Sequence, residues 1–386
     1  MQAFQFHTVP AIRFAEGAVE DLARLAAARL GPRILLVTDP GLRRLGLIDP
    51  ARRQLETAGS HVTIFDAVEP DPAEATLHRA VAAGRQAAVT GVVGLGGGSS
   101  LDVAKLAALL LGSGEPLDEA WGVGRARGPR LPLVLIPTTA GTGSEVTPVA
   151  ILTVGGEEKR GVSSPLLLPD LALLDPLLTL GLPGPVTAAT GIDAMVHAIE
   201  AYASASPNNN PLSRALAREA LRLLGGHIRQ VMADGSDRAA RGAMLLGAML
   251  AGQAFANAPV AAVHALAYPL GGMFHLAHGL SNALVLPHVL RFNAPAAAAA
   301  YARIAPDAFP DLAAIAPEER RALAFADRLA GLCRDLGLPA RLRDLDIPRE
   351  ALPRMARAAM QQTRLLVNNP RPVTEGDALA IYEAAW

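Results

Sequence analysis

The chain has 386 residues, 51% of them hydrophobic, and a formal net charge of −1. This length favours two or three domains with substantial cores, and the composition excludes a disordered chain and a basic nucleic-acid-binding surface. The single cysteine, Cys333, excludes an internal disulfide and favours a reducing compartment. The N-terminus lacks a signal-peptide pattern, and no apolar run reaches the ~18 residues of a membrane span, so we expect a cytoplasmic protein without a membrane partner.

The first half of the chain alternates short apolar runs with helical patterns. Residues 4–6 and 11–14 predict a hairpin or edge strands at the N-terminus. The predicted strands that follow are residues 33–38, 61–65, 88–95, 132–136 and 171–174. The predicted helices are residues 17–30, 47–58, 72–87 and 99–112. This alternation is typical of a mostly parallel sheet with helices on both faces.

The alternation ends at the breaker cluster Leu182-Pro-Gly-Pro185. Beyond it, stretches rich in Ala, Leu and Arg have helical periodicity, and none is convincing as a strand. For residues 186–386 the sequence therefore predicts helices only. We expect an α/β domain over residues 1–183 and an all-α domain over residues 184–386.

Two loops of the α/β domain have the composition of a dinucleotide site. Gly94–Ser99 follows a predicted strand and opens a predicted helix, whose N-terminus suits a pyrophosphate. A tight strand-to-helix turn is the alternative, because Ser99 replaces the last glycine of a dinucleotide fingerprint. Pro137–Glu145 follows another strand and lacks the ending of a nucleotide-triphosphatase loop. Two such loops at the carboxyl ends of strands in one sheet favour a bound dinucleotide.

Asp39 follows the predicted strand at residues 33–38 and precedes Pro40-Gly41. A carboxylate there accepts hydrogen bonds from adenosine ribose hydroxyls and repels the extra phosphate of NADP, which favours NAD. Asp-Pro-Gly is also good turn chemistry, so a simple turn is the alternative.

The basic residues are 33 arginines and only two lysines, Lys105 and Lys159. A GC-rich genome explains such a skew, and chance explains the retention of either lysine. A lysine is also retained where arginine is not tolerated, because the two side chains are not interchangeable at a tight site. Both lysines lie in segments that we assign to the cofactor.

Four potential metal ligands lie in two short segments of the helical domain. Asp193 and His197 are four residues apart and share a helix face, while His264 and His278 come from a second helix and the loop after it. Three imidazoles and one carboxylate suit Fe²⁺ or Zn²⁺, and the ligand types do not separate these ions. A lone histidine is more commonly a hydrogen-bonded, partly buried residue, but four of the nine histidines lie between His264 and His288.

In combination, the segments Gly96–Asp102, Pro137–Glu145, Gly191–His197 and His264–Gly279 resemble the iron-dependent (group III) alcohol dehydrogenase family. The resemblance covers nearly the whole chain. It implies a dehydroquinate-synthase-like fold, with an N-terminal dinucleotide-binding α/β domain and a C-terminal helical metal-binding domain. It also implies hydride transfer between NAD(H), in preference to NADP(H), and a small alcohol or aldehyde, by a homodimer or higher homo-oligomer.

The resemblance assigns site residues by their position in the motifs. The implied ligands of Fe²⁺, or of Zn²⁺, are Asp193, His197, His264 and His278. The implied cofactor-binding residues are Asp39, Gly97, Gly98, Ser99, Asp102, Thr138, Thr139, Thr142 and Lys159.

Three positions depart from common patterns of the family. Tyr268 stands where several members have the second histidine of a His-x3-His pair, and Asp71 replaces a common asparagine. His275 precedes His278 by three residues, at a position that varies. Tyr268 and His275 are accordingly the candidates for proton relay in catalysis.

Three other functions stay open from the sequence. A maleylacetate-reductase-like keto-acid reductase belongs to the same superfamily but differs in the second histidine segment. A dehydroquinate-synthase-like lyase requires several basic residues for an anionic substrate, and the Ala-, Leu-, Met- and Phe-rich segments around the ligands do not obviously supply them. A non-catalytic metal-binding protein would need neither glycine-rich loop.

Overall fold

The computed structural model describes residues 3–155 and 158–386, and this chain forms two compact units. The α/β unit is His7–Gly181, and the helical unit is Leu182–Trp386 together with the described residues up to Phe6. The N-terminal residues join the helical unit because Gln5 exchanges two hydrogen bonds with Asn208, each of 2.9 Å. The sequence-based boundary, after residue 183, lies two residues further along the chain.

The predicted strands form the centre of the α/β unit. Its strands are β1 Ile12–Phe14, β2 Arg33–Val37, β3 His61–Phe65, β4 Gly91–Gly96, β5 Gly122–Val123, β6 Leu133–Pro137, β7 Val149–Val154, β8 Glu158–Ser163 and β9 Leu171–Leu174. Among the described residues, six of these form a parallel sheet in the order β1-β9-β6-β4-β2-β3. The apolar side chains of β2, β4 and β6 are buried, as expected for parallel strands covered on both faces.

The helices of the α/β unit follow the predicted alternation. They are α1 Ala28–Leu30, α2 Pro40–Arg44, α3 Asp49–Thr57, α4 Glu74–Gln86, α5 Gly98–Ser113 and α6 Leu117–Ala120. The predicted helix at residues 17–30 is instead a short 3₁₀ turn, a π-helical stretch and then α1. Of the predicted N-terminal hairpin or edge strands, the edge strand is confirmed for β1, which pairs in parallel with β9, whereas residues 4–6 form no strand and no hairpin.

A second sheet was not predicted. Its order is β5-β8-β7, with β7 and β8 antiparallel and β5 parallel to β8. The alternation of strands and helices gives no signal for it, since a hairpin replaces the crossover helix between β7 and β8. Gly155 begins the turn of that hairpin with a φ of 61°, a conformation that glycine adopts without steric cost.

The helical unit contains no strand among its described residues, as the sequence predicted. Its helices are α7 Gly184–Ala203, α8 Pro211–Ala233, α9 Arg238–Asn257, α10 Ala262–Phe274, α11 His278–Ala308, α12 Glu318–Asp335, α13 Leu352–Met360, α14 Thr363–Leu366 and α15 Glu375–Ala385. Helix α7 is buried along nearly its whole length and packs against α8, α9 and α11. This central position removes its polar side chains from water, so they must be paired or bound to a ligand.

No single helix among the described residues is long and apolar enough to cross a membrane. Helices α9 and α10 meet that criterion only as a pair, and they are bent by 107° relative to each other.

His288, half-buried on α11, should make the fold sensitive to acid. Burial, together with the positive charge of Arg291, lowers the pKa of His288 from 6.5 to about 4. Between these pH values the unfolded chain binds a proton that the folded chain does not, so the free energy of unfolding falls as pH falls. In His288→Gln, we expect the free energy of unfolding to decrease by about 1–2 kcal/mol less over this pH range than in the parent. Urea unfolding of chelator-treated protein measures this difference. Identical pH dependences in the two proteins would contradict the assignment.

Candidate metal centre and cofactor site

Helix α7 supplies two of the predicted ligands from one face. Asp193 is 2% exposed and His197 is 4% exposed. Their spacing of four residues places one side chain a turn above the other. The first turn of α7 contains Pro185, whose fixed φ suits the start of a helix and whose missing N–H is not needed there.

Helices α10 and α11 supply the other two predicted ligands. His264 lies in the first turn of α10, and His278 is the first residue of α11. Between the helices, His275 adopts the left-handed conformation with a φ of 55° and ends α10. Gly279 then allows α11 to approach α7, since a Cβ there would lie 2.4 Å from the carbonyl oxygen of Ala189.

The four predicted ligands converge on one point of the helical unit. One ligand atom from each of Asp193, His197, His264 and His278 lies within 4.8 Å of all the others. The Oδ1 atom of Asp193 is 3.7 Å from Nε2 of His278 and 4.0 Å from Nε2 of His264. Three nitrogen donors and one oxygen donor at this spacing fit a divalent ion such as Fe²⁺ or Zn²⁺.

The carboxylate of Asp193 supplies the negative charge of the cluster. Burial alone would raise the pKa of Asp193, but the charges of His197, His278 and His264 and a hydrogen bond from Asn282 together hold that pKa below its usual value. The carboxyl group of Asp193 is therefore ionised at neutral pH, as a metal ligand must be.

Glu200, one turn beyond His197 on α7, orients His264. Its Oε2 atom accepts a hydrogen bond of 2.6 Å from Nδ1 of His264, and its Oε1 atom accepts one of 2.7 Å from the backbone N–H of Val263. The proton is thereby held on Nδ1, which leaves Nε2 of His264 as the donor to a metal. Such carboxylate–histidine pairs fix ring orientation and raise ligand basicity.

Replacing the charge of Glu200 tests this arrangement. We expect Glu200→Gln to weaken metal affinity by about 10–100-fold, because the amide retains the shape but not the charge that raises the basicity of His264. Competition with a chromophoric chelator measures the affinity. Glu383→Gln is the matched control, since Glu383 is exposed on α15. Equal affinities for Glu200→Gln and Glu383→Gln would show that Glu200 does not act on the metal site.

Asn282 is a site residue that the sequence analysis missed. It follows His278 by one helical turn on α11 and is fully buried. Its Nδ2 atom donates to Oδ1 of Asp193 at 2.6 Å. The signal in the sequence was its spacing of four residues from a predicted ligand, which a search restricted to charged and imidazole side chains does not use.

The two candidate relay residues lie in different settings. The ring of half-buried Tyr268 has its centroid 6.1 Å from that of His278, so Tyr268 borders the ligand cluster. His275 is exposed, and it lies outside the cluster of four ligands. The ring of Phe255 stacks on His197 with centroids 4.5 Å apart and gives the cluster an apolar neighbour.

The two glycine-rich loops of the α/β unit lie side by side. They follow the neighbouring parallel strands β4 and β6, and the backbone N–H of Thr138 donates to the carbonyl oxygen of Gly96 at 3.0 Å. Gly97 and Gly98, at the start of α5, face the second loop. A Cβ on Gly97 would lie 3.5 Å from Thr139, and a Cβ on Gly98 would lie 2.8 Å from Thr142.

Asp39 follows β2, which pairs with β4, so it lies at the same edge of the sheet as both loops. Its Oδ1 atom accepts hydrogen bonds from the backbone N–H groups of Gly41, at 2.8 Å, and Leu42, at 3.0 Å. The carboxylate therefore caps α2, as the turn alternative required. An edge formed by the carboxyl ends of parallel strands is also where dinucleotides bind in such sheets.

Lys159 is connected to the N-terminus of α5 through Asp71. Its Nζ atom lies 2.7 Å from Oδ1 of Asp71 and donates to Oγ1 of Thr153 at 2.9 Å. The backbone N–H of Asp71 in turn donates to Oγ of Ser99 at 3.3 Å. The second lysine of the chain thus belongs to the same part of the α/β unit as the first glycine-rich loop.

Lys105 is fully buried and supports the second glycine-rich loop from the protein interior. Its Nζ atom donates to Oγ of Ser144 at 2.8 Å, to Oγ1 of Thr147 at 3.1 Å and to the carbonyl oxygen of Val149 at 2.8 Å. Asp102 accepts from the Ser144 hydroxyl at 2.6 Å and from the backbone N–H of Ile151 at 2.9 Å. Both oxygens of Asp102 therefore hold protein groups in place.

The surroundings of Lys105 explain why this lysine is retained in an arginine-rich chain. Burial lowers the pKa of Lys105 to about 8, although the nearby carboxylates of Asp102 and Glu145 act in the opposite direction. Three acceptors surround a compact ammonium group, which a planar guanidinium does not match. We expect Lys105→Arg to lower the free energy of unfolding by about 1–3 kcal/mol, measured by urea denaturation. Arg44→Lys, at an exposed position, is the control, and equal stability of the two variants would contradict this explanation.

Two family models match the chain, one in each of its two units. Residues 10–176 match the family model described as iron-containing alcohol dehydrogenase, and residues 187–386 match the model for the C-terminal part of the Fe-containing alcohol dehydrogenase family. The chain belongs to the iron-containing alcohol dehydrogenase family. The predicted family, fold class and type of enzyme are thereby confirmed: an iron-dependent alcohol dehydrogenase with an α/β N-terminal region and a helical C-terminal region.

Relatives in the iron-containing alcohol dehydrogenase family match almost end to end. A long-chain-alcohol dehydrogenase of Geobacillus thermodenitrificans is 43% identical over 93% of this chain and 91% of its own length. A sulfoacetaldehyde reductase of Bilophila wadsworthia is 35% identical over 99% of both chains. The crystal structure of a 1,3-propanediol oxidoreductase superposes with a TM-score of 0.94 at 36% identity and covers 100% of both chains.

Proposed function

We propose that this alcohol dehydrogenase transfers a hydride between NAD(H) and a small or medium-sized apolar alcohol or aldehyde, with Fe²⁺ held by Asp193, His197, His264 and His278. The observation that carries the proposal is the convergence of three imidazoles and an ionised carboxylate within 4.8 Å in a mostly buried cluster. Zn²⁺ fits the same donor atoms, so iron is preferred on the basis of the family alone.

The protein's own residues prepare both reactants. A bound divalent ion supplies Lewis acidity toward the substrate oxygen, and a bound nicotinamide supplies or accepts the hydride. Glu200 holds the proton on Nδ1 of His264, and Asp193 contributes the negative charge. We assign the transfer of the substrate proton toward solvent to Tyr268, which borders the cluster, and to His275, which is exposed.

The proposed cofactor site is the edge of the parallel sheet where β2, β4 and β6 end. We assign the pyrophosphate to the start of α5, where helix N–H groups and glycines favour an anion. We assign the adenosine ribose to Asp39, whose carboxylate would disfavour the extra phosphate of NADP. The assigned cofactor contacts are Asp39, Gly97, Gly98, Ser99, Thr138, Thr139, Thr142 and Lys159. Asp102 contributes indirectly, because its carboxylate holds Ser144 in the second loop.

The proposed substrate is uncharged. Phe255 stacks against His197, and the half-buried side chains of Met273 and Phe274 lie at the end of α10. The named relatives include enzymes for long-chain alcohols, 1,3-propanediol and sulfoacetaldehyde. An apolar surrounding supports an alkyl alcohol over an anionic sulfonated aldehyde, because burial of an unpaired charge is costly.

We further propose that the enzyme acts as a homodimer or higher homo-oligomer in the cytoplasm, without nucleic-acid or membrane partners. Support comes from the balanced net charge and from β1, an exposed edge strand with Ile12 38% and Phe14 37% exposed. Exposed apolar edge strands favour association. Light scattering of the purified protein tests the assembly, and a monomer at all concentrations would refute it.

The proposed reaction is tested by NADH oxidation with unbranched aldehydes of increasing length, and with sulfoacetaldehyde as the charged comparison. We expect turnover with the unbranched aldehydes, at lower KM for longer chains, and a strong preference for NADH over NADPH. Turnover with sulfoacetaldehyde alone would overturn the substrate assignment. Equal use of NADPH would overturn the role of Asp39.

A further inference from the structure

The side-chain amide of Asn282 lies among the ligand atoms of the proposed metal site. Its Nδ2 atom is 2.6 Å from Oδ1 of Asp193 and 3.3 Å from Nε2 of both His264 and His278. These distances are shorter than the 3.7 Å and 4.0 Å that separate the Asp193 oxygen from the two imidazole nitrogens. The amide therefore occupies a further corner of the cluster.

Hydrogen-bond partners surround the nitrogen of this amide but not its oxygen. The nitrogen carries two hydrogens but has three acceptor-type atoms within hydrogen-bond distance. The buried Oδ1 atom has no hydrogen-bond partner among the described residues. An unsatisfied oxygen in a fully buried side chain is destabilising, so the surroundings of Asn282 favour some other partner for that oxygen.

With a divalent ion held by the four ligands, the preference of the amide would be reversed. The N–H hydrogens carry partial positive charge and are repelled by a cation, whereas the carbonyl oxygen of asparagine is an ordinary metal ligand. Rotation about the Cβ–Cγ bond exchanges Nδ2 and Oδ1 without moving the helix. We propose that Asn282 turns its Oδ1 atom toward the bound ion and acts as a fifth protein ligand. This inference rests on the proposed metal site.

Cobalt(II) is the probe, because its visible absorption reports coordination number as well as binding. Asn282→Leu keeps the approximate size and removes both polar ends, and Asn282→Asp places an oxygen at either end. We expect Co²⁺ affinity to fall by about 10–100-fold in Asn282→Leu and to rise in Asn282→Asp. We also expect stronger visible bands in Asn282→Leu, since four-coordinate Co²⁺ absorbs more intensely than five-coordinate Co²⁺.

The matched control is Asn293→Ala on the same helix. Asn293 is also buried, but it pairs with Asn369 and Tyr301 and lies outside the cluster. Its replacement should leave Co²⁺ affinity and spectrum unchanged. If Asn282→Leu does not fold, the rise in affinity of Asn282→Asp, with a spectrum like that of the parent, supplies the test.

The outcomes separate this inference from the proposed function. If the parent binds no Co²⁺, or if His264→Ala binds it equally well, the metal site itself is wrong. If the parent binds and His264→Ala does not, but Asn282→Leu matches the parent, the site stands and the fifth ligand is refuted. Weaker binding with an unchanged spectrum would make Asn282 only a hydrogen-bond donor to Asp193, which also overturns the proposal.

Discussion

His264→Ala is expected to abolish metal binding and to lower the rate of aldehyde reduction by about a thousandfold or more. The reason is that His264 supplies a donor atom and is also the residue through which Glu200 acts on the site. Its removal leaves the carboxylate of Glu200, only 6% exposed, without an imidazole partner. Metal content by elemental analysis and NADH oxidation on the same preparation measure both effects.

The control for His264→Ala is His78→Ala. His78 is an exposed histidine of α4 in the other unit, so its removal changes the histidine content but not the cluster. We expect parental metal content and rate for His78→Ala. Retention of both by His264→Ala would show that the cluster is not the metal site. Loss of metal with full activity would instead show that the reaction does not depend on the ion.

Gly98→Val is expected to weaken NADH binding by about 100-fold while leaving the metal content unchanged. Gly98 is the first residue of α5, and a Cβ there would lie 2.8 Å from Cγ2 and 3.1 Å from Oγ1 of Thr142. A branched side chain therefore separates the two loops and covers the helix N-terminus proposed to bind the pyrophosphate. Quenching of protein or NADH fluorescence gives the dissociation constant directly.

Gly181→Val is the matched control for the same substitution. No heavy atom lies within 4 Å of a Cβ at Gly181, and its φ is not in the left-handed region. We expect unchanged NADH affinity for this control. Unchanged affinity in Gly98→Val would remove the pyrophosphate from the start of α5. A parallel loss of metal would show that the substitution disturbs more than the cofactor loops.

Two of the four residues of the candidate metal site could be predicted from a local rule. Asp193 and His197 are one turn apart on a helix, and their separation in the chain fixes their separation in space. The grouping with His264 and His278 is not local: the residue types suggested it, and the family resemblance also implied it. Nothing in the spacing shows that Gly279 brings α11 against α7, or that Glu200 reaches back to His264.

The small second sheet and the N-terminal residues show where sequence patterns fail. The polar strand β8 has alternating side chains with little apolar signal, and β7 resembles a further buried strand with no helix after it. Pairing between them depends on the turn at Gly155 and not on periodicity. Likewise, residues 4–6 have strand composition, but Asn208, about 200 residues away, takes up the hydrogen bonds of Gln5.

The role of Lys105 was visible only in part. The rarity of lysine singled out both Lys105 and Lys159. In the α/β unit, the ammonium group of Lys105 donates three hydrogen bonds, and that of Lys159 pairs with Asp71 and donates to Thr153. Composition could not say whether the ammonium group meets a cofactor or the protein itself. Complete burial and three protein acceptors show that Lys105 supports the second loop from inside.

Anaerobic titration of the chelator-treated enzyme with Fe²⁺, followed by NADH oxidation with an unbranched aldehyde, tests the central claim most directly. The proposed site predicts that the rate rises in proportion to added iron and levels off at one ion per chain. His264→Ala should show no such rise. A rate that is already maximal in the chelated enzyme, or that is indifferent to iron, would contradict a metal-dependent dehydrogenase built on these four residues.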